Sequence, residues 1–376
     1  MAAGRRPLEG VGLTVDLSAL GGRRVLVTGH TGFKGSWLCL WLHRLGAQVT
    51  GYALAPPTDP SNYAASTVGD LLAGEAIADL RDRARLAQAL DEADPEVIFH
   101  LGAQPIVRES YETPYETFEV NVQGTAGLLE AARRRGRPCA VVVVTSDKCY
   151  ENRGQVWGYR EDDPMGGYDP YSASKGAAEL VTSSYRRSFF HPARLGEHGV
   201  QLASARAGNV IGGGDWAANR IVTDLVRAAR EGEPVELRNP GAIRPWQHVL
   251  EPLSGYLTLA ARMLTSRDPA LATGWNFGPL PGDEAPVRDL ADRFFAAWGS
   301  GSWRDVSDPA QPHEAQVLRL SIDKAVAELG WRPRWRSPEA IRRAALWYKA
   351  HLATPDAMRA ACLEEIDAYA AAEPAV

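Results

Sequence analysis

Two short stretches of this chain carry residue types that can do chemistry together. TSDKCYEN (145–152) follows the apolar run AVVVV and sets Asp147 beside Lys148. Lysine is scarce here: five of the 41 basic residues are Lys, at 34, 148, 175, 324 and 349. Arginine serves wherever bare positive charge suffices, so a surviving lysine points to a compact, titratable ammonium. The other reading is a chance lysine, and its neighbours must decide. DPYSASKGAAEL (169–180) spaces Tyr171 and Lys175 four apart, on one face of a helix. A phenol normally releases its proton near pH ~10, and an adjacent ammonium lowers that value. Such a tyrosine takes a proton from a substrate hydroxyl while hydride leaves for a nicotinamide. Isolated Tyr/Lys pairs are common on surfaces; Ser146 at a strand end makes this one a candidate site. Asp147 either caps a turn or, beside Ser146, acts as an acid.

A glycine-rich loop completes the set. GHTGFKG (29–35) has the spacing GxxGxxG between a first strand and a first helix. The first glycine permits a tight turn, the second lets backbone approach a pyrophosphate, and the third allows close helix–strand packing. The loop therefore favours a dinucleotide. The second strand ends VTGYAL without an acidic residue for an adenosine ribose, so the strand itself does not separate NAD from NADP. His30 and Lys34 either lean on phosphates or stand in solvent.

The elements that must position these residues follow from periodicity. Continuous apolar runs predict strands at RRVLVTG (23–29), AQVTGYAL (47–54), PEVIFHLGA (95–103) and CAVVVVTS (139–146). Helical patterns lie between them at 36–46, 80–94 and 114–135, the last closing on Gly136. Strands without alternation, separated by helices, predict an α/β fold with a doubly wound parallel sheet of Rossmann type. The expected division is a short, weakly ordered lead-in over 1–22 and a dinucleotide-binding domain over 23–205. Residues 206–376 form a smaller substrate-binding C-terminal part, with some segments returning to the sheet.

Composition bounds the rest. A net charge of -5 over 376 residues leaves no electrostatic footprint for nucleic acid. The arginines at 133–135 suit a helix end. Four cysteines without a CxxC pair suggest a reducing compartment, hence a cytoplasmic protein. No apolar run approaches membrane-spanning length, and no metal-ligand pattern is present.

GxxGxxG, Ser146 and YxxxK together resemble the extended short-chain dehydrogenase/reductase superfamily. ADLRD (78–82), FHLGAQ (99–104), NVQGT (121–125) and LSIDKAVAELGWRP (320–333) are similar to its nucleotide-sugar dehydratases and epimerases. TGHTGFKGSWL, YALAPPTDPS, AQPIVRESY, TSDKCYEN, RAGNVIGGGDW, RPWQHVLEPL and PHEAQVL resemble the branch of 4,6-dehydratases acting on CDP-glucose. These segments spread over roughly 300 residues, nearly the whole chain.

The resemblance implies NAD as cofactor and a nucleotide sugar, CDP-glucose, as substrate. Cofactor contacts would come from Gly29, Thr31, Gly32, Phe33, Lys34, Gly35, Asp79, Leu80, Leu101, Ala103, Gln104, Asn121, Tyr171 and Lys175. Tyr171 would deprotonate the C4 hydroxyl, Lys175 would hold the phenolate and a ribose, and Ser146 would bond the C4 oxygen. Asp147 would be general acid as water leaves C6. Better-known relatives carry glutamate next as C5 base; Lys148 stands there, either as a neutral base or as a charge stabilising an enolate. Asn209, Arg220 and Arg244 would meet the substrate diphosphate, joined by His313, at which related enzymes often have arginine. Trp216, Trp246 and Trp275 either face sugar or base or pack in the core. A homodimer is implied through a four-helix bundle of residues 113–135 and 169–190.

Overall fold

The computed structural model describes residues 16–307 and 318–375. Six runs rich in β-branched and small apolar residues form β1 (Arg24–Thr28), β2 (Gln48–Ala53), β3 (Gly74–Ile77), β4 (Val97–His100), β5 (Cys139–Val144) and β6 (Val200–Arg206). Their connections are the helices α1 (Phe33–Arg44), α2 (Asn62–Ala65), α3 (Arg83–Ala93), α4 (Val107–Glu112), α5 (Pro114–Phe118), α6 (Gly124–Arg135), α7 (Pro170–Ser188) and α8 (Leu195–His198). The absence of alternation has a direct cause. Val25, Val27, Val142 and Val144 enter one core, while Leu26, Ile98, Val141 and Val143 enter the core on the opposite face. A sheet covered on both faces needs apolar side chains at every position.

Beyond β6 the chain forms β7 (Val210–Ile211), α9 (Ile221–Glu231), β8 (Val235–Leu237), β9 (Ile243–Arg244), β10 (Gln247–His248), α10 (Leu250–Ser266) and β11 (Gly274–Asn276). Then come β12 (Ala285–Pro286), α11 (Val287–Trp298), β13 (Trp303–Asp305), α12 (Ser337–Ala353) and α13 (Met358–Ala371). The main sheet runs β11-β6-β5-β4-β1-β2-β3, and each of its pairings is parallel. The order reverses between β1 and β4, the switch point at which a doubly wound sheet opens a crevice. The strands β7–β10, β9–β12 and β8–β13 pair outside that sheet.

Several boundaries differ from the periodicity reading. The first helix starts at Phe33, inside the glycine loop, because Gly32 is its N-cap. The single helix expected over 114–135 is α5, a π-helical turn at Glu119–Gln123, and α6, which ends on Gly136 in the left-handed conformation. The wide turn sets Asn121 inward, where it is buried; such insertions often mark functional positions. Of the lead-in, residues 1–15 lie outside the described residues, and Leu17–Leu20 form a 3-10 turn with Leu20 fully buried. The last helix closes against the first: Trp41 meets Tyr369 edge-on at 5.5 Å. No helix among the described residues is long and apolar enough to cross a membrane.

Candidate active site

The glycine loop sits where β1 hands over to α1. Gly29 has φ +77°, and a Cβ there would stand 2.7 Å from the Gly102 nitrogen. A Cβ on Gly35 would lie 2.0 Å from the Gly29 carbonyl oxygen, so α1 packs directly on the turn. At Gly32 a Cβ would meet nothing closer than 3.4 Å. The N-terminus of α1 has no side-chain cap, and its first N–H groups point outward as an anion seat. These features fit the pyrophosphate of a dinucleotide. Below them, Thr28, His100 and Thr125 stitch β1 to β4 and α6. The Thr125 hydroxyl donates to the Asn121 carbonyl (2.7 Å), so it accepts from His100 Nε2–H (3.1 Å). His100 Nδ1 then accepts from the Thr28 hydroxyl (2.7 Å). Burial pushes His100 down to about 3, which keeps it neutral.

His30 neither touches a phosphate position nor faces solvent. It is buried beneath Gly51 of β2, and Nε2 lies 2.7 Å from Glu75 Oε1. Lys34 turns instead toward the other end of the site. Burial lowers it to about 8, with Lys175, Arg220 and Lys148 adding to the fall and Asp147 opposing it. Thr31 donates to the Leu54 carbonyl at 2.8 Å, and Phe33 packs on the core beside Gly212. Leu80 is buried against Gly102 and Gly124. Leu101, Ala103 and Gln104 line the turn after β4, half-buried. Gln104 donates to Thr117 at 3.0 Å, and the Asn121 amide spans the Gln104 backbone and the Ser174 hydroxyl. Asn121 therefore ties the β4 turn to α7. Asp79 is taken up by Arg81 at 2.6 Å.

At the end of β5, Ser146 caps a 3-10 turn formed by Asp147–Cys149, its Oγ accepting from the Lys148 amide at 3.2 Å. The Ser146 hydroxyl donates to Asp147 Oδ1 at 2.9 Å, and Lys148 Nζ stands 3.5 Å from that oxygen. Asp147 is 1% exposed, and its Oδ2 has no partner. Helix α7 supplies the remainder. Pro170 and the Asp169 cap start it, and Ser110 accepts from the Tyr171 amide at 3.1 Å. Tyr171 and Lys175 both point into the protein, 8% and 7% exposed. The expectation of a lowered phenol is not met in this state. Burial raises Tyr171 to about 12, opposed by the Ser146 hydroxyl and Arg220. Burial also lowers Lys175 to about 8. Desolvation disfavours both charged forms and is the largest influence on each.

A buried ion pair supports this end of the sheet. Glu179 meets Arg206 at 2.9 Å and also accepts from Thr145 (2.6 Å) and Ser204 (2.7 Å). Arg206 reaches the Tyr150 hydroxyl at 2.6 Å, which donates to Asn276 at 2.7 Å. Sequence reasoning missed Glu179, Arg206 and Tyr150. No local pattern announces them, because Glu179 and Arg206 are 27 residues apart and Tyr150 and Arg206 are 56 apart.

Of the residues expected at the substrate, Arg220 lies 3.6 Å from Asp215 and bears electrostatically on Tyr171 and Lys34. Asn209, with φ +51°, is half-buried just after β6. Arg244 is on β9 and donates to the Ile243 carbonyl at 3.0 Å. His313 lies outside the described residues. The tryptophans belong to the core. Trp246 and Trp275 are buried, donating to the carbonyls of Ala285 and Leu271, and Trp216 packs against Tyr348 at 4.8 Å. Among the described residues no cluster of His, Cys, Asp and Glu suits a metal ion.

Against known proteins, residues 26–344 match the family model described as GDP-mannose 4,6 dehydratase. The chain belongs to that family. It is 51% identical over 342 residues to the CDP-glucose 4,6-dehydratase of Salmonella typhimurium strain LT2, covering 91% of this chain and 95% of that one. It is 31% identical over 333 residues to the dTDP-glucose 4,6-dehydratase of Streptomyces antibioticus, covering 86% and 92%. Among solved structures, the dTDP-glucose 4,6-dehydratase of Streptomyces venezuelae with NAD and TYD bound aligns with TM-score 0.74 at 25% identity, over 88% of this chain and 98% of that one. The family and doubly wound fold expected from the motifs therefore hold, as does the expectation of an NAD-dependent enzyme of the nucleotide-sugar 4,6-dehydratase kind.

Proposed function

We propose that this chain converts CDP-glucose to CDP-4-keto-6-deoxyglucose by removal of water and internal transfer of hydride from C4 to C6. The observation that carries this reading is the buried Asp147 carboxyl beside Ser146 and Lys148, within the electrostatic reach of Tyr171. A sugar 4-epimerase needs no acid for a leaving C6 hydroxyl; a 4,6-dehydratase does. The 51% identity to the Salmonella enzyme supports CDP-glucose as the particular substrate.

Bound NAD supplies a hydride acceptor at C4 and the returning donor at C6. Gly29 and Gly32 with the α1 N-terminus would hold its pyrophosphate, Gly35 letting α1 pack on the turn, and Lys175 would hold a ribose. Tyr171 takes the C4 hydroxyl proton, and the Ser146 hydroxyl steadies the C4 oxygen. The resulting ketone acidifies C5. Asp147, in its acid form, would donate a proton to the departing C6 hydroxyl, which leaves as water, while Lys148 would stabilise the enolate formed as the C5 proton passes to a general base. Arg220, Arg244 and Asn209 take the substrate diphosphate, with His313 beside them. Arginine suits that role through its forked donors.

Large apolar side chains stand exposed on α4, α5 and α7, at Tyr111, Tyr115, Phe118 and Leu180. Such a surface supports a homodimer built on these helices. Four free, buried cysteines suit a cytoplasmic setting.

The test offers purified protein CDP-, UDP-, dTDP- and GDP-glucose and follows 4-ketosugar by its alkaline absorbance. CDP-glucose should be consumed best, with NAD needed in catalytic amounts. Substrate deuterated at C4 should give product labelled at C6. Net NADH in proportion to product would leave a simple dehydrogenase.

A further inference from the structure

Position 208 holds a glycine for a reason the backbone does not supply. Gly29 and Gly214 have positive φ, whereas Gly208 does not. A left-handed turn is not what calls for glycine there; a Cβ could not be housed. Placed at Gly208, it would lie 1.8 Å from Asp147 Oδ2, 2.0 Å from Cγ and 2.4 Å from Oδ1. The Asp147 carboxyl occupies the volume that a side chain at 208 would take. Nor can the Gly208 segment retreat. Gln247, itself 1% exposed, donates from Nε2 to the carbonyls of Gly208 (3.0 Å) and Phe277 (3.2 Å). Its backbone N–H donates to the Asn209 carbonyl at 3.2 Å. Asp147 Oδ1 is held by Ser146 on the opposite side, at 2.9 Å.

We propose that Gly208, pinned by Gln247, is a positioning residue that seats the Asp147 carboxyl between itself and Ser146. The proposal rests on the reading of Asp147 as the acid for the leaving C6 hydroxyl. A methyl group at 208 forces the Asp147 side chain to turn, since the backbone behind it is clamped. Proton removal by Tyr171 does not pass through this seat, so the step that suffers is elimination.

Gly208→Ala, Asp147→Asn and the double variant separate the possibilities, each read for NADH formed in the first step and for 4-ketosugar. Gly208→Ala should reduce bound NAD within a few-fold of the parent rate and release product at least about ten-fold more slowly. The double variant should be no slower than Asp147→Asn, because both changes disable one carboxyl. Product formation by Gly208→Ala at the parent rate overturns the proposal, as do defects that multiply in the double variant. Parent-like turnover by Asp147→Asn overturns instead the role of Asp147 on which the proposal rests. If Gly208→Ala is too unstable to assay, thermal melting decides. Its Tm should fall in the parent background and stay unchanged in an Asp147→Ala background, where the colliding carboxyl is gone. An equal fall in both backgrounds overturns the seat.

Discussion

Lys148 and Ser146 converge on one oxygen of Asp147, at 3.5 and 2.9 Å. That geometry places an ammonium beside the acid that serves the leaving hydroxyl, where a cation can steady charge during elimination. The role falls after the first hydride transfer. Lys148→Met should therefore still reduce bound NAD with CDP-glucose, seen as NADH absorbance, yet form product at least about 100-fold more slowly. Tyr171→Phe should stop the first reduction as well, by about 100-fold or more. Product at the parent rate from Lys148→Met would show the lysine to be incidental. Loss of the first reduction, with folding and NAD binding intact, would move its role to the earlier step. The raised Tyr171, at about 12, belongs to a buried phenol. Ser146 and Arg220 oppose that rise and favour loss of its proton.

Among the elements, α13 shows how far the C-terminal part supports the site. Glu251, at the start of α10, is fully buried and accepts from the backbone of Arg334 (3.0 Å) and Trp335 (2.6 Å) and from the Tyr369 hydroxyl of α13 (2.6 Å). Burial raises its carboxyl to about 7 despite these donors. A folded-state value above the unfolded one means that the folded chain binds more protons between pH 4.5 and about 7. The stability contributed is complete below that window and is lost as pH rises through it. Parent and Glu251→Gln melting curves should therefore diverge by about 3 kcal/mol between pH ~4.5 and ~7.5, the parent losing ground as pH rises. A constant gap across that range would contradict it. In the main sheet β3, β6 and β11 were not read as strands, whereas β1, β2, β4 and β5 were legible because both faces are covered, which leaves unbroken apolar runs. The π-helical turn at Glu119–Gln123 was not: EVNVQ reads as ordinary helix, and burial of Asn121 among Gln104 and Ser174 depends on partners 17 and 53 residues away. Ser146, Asp147, Lys148, Tyr171 and Lys175 stood out by type and spacing. Glu179 and Arg206 did not, because a pair 27 residues apart has no local pattern. His30 misled, since a loop histidine beside phosphate chemistry looks functional until Gly51 is seen to make room for it.

At the scale of the whole molecule, α7 presents two different faces. Its inner face carries Tyr171 and Lys175, while Leu180, 63% exposed, faces outward. Leu180→Arg should convert a dimer to a monomer in light scattering at micromolar concentration, because a buried unpaired charge opposes self-association. A parent protein of monomer mass would refute the dimer itself. The stitching beneath the glycine loop has a further consequence. Gly29 stands so close to Gly102 that a Cβ on Gly29 would strike the Gly102 backbone, and Thr28, His100 and Thr125 lock the strands below them. The seat for the dinucleotide is thus rigid before anything arrives, and little chain entropy is lost on capture. An enzyme that regenerates its own hydride acceptor has no need to exchange it each cycle. A stiff cradle is the architecture that such a cycle permits.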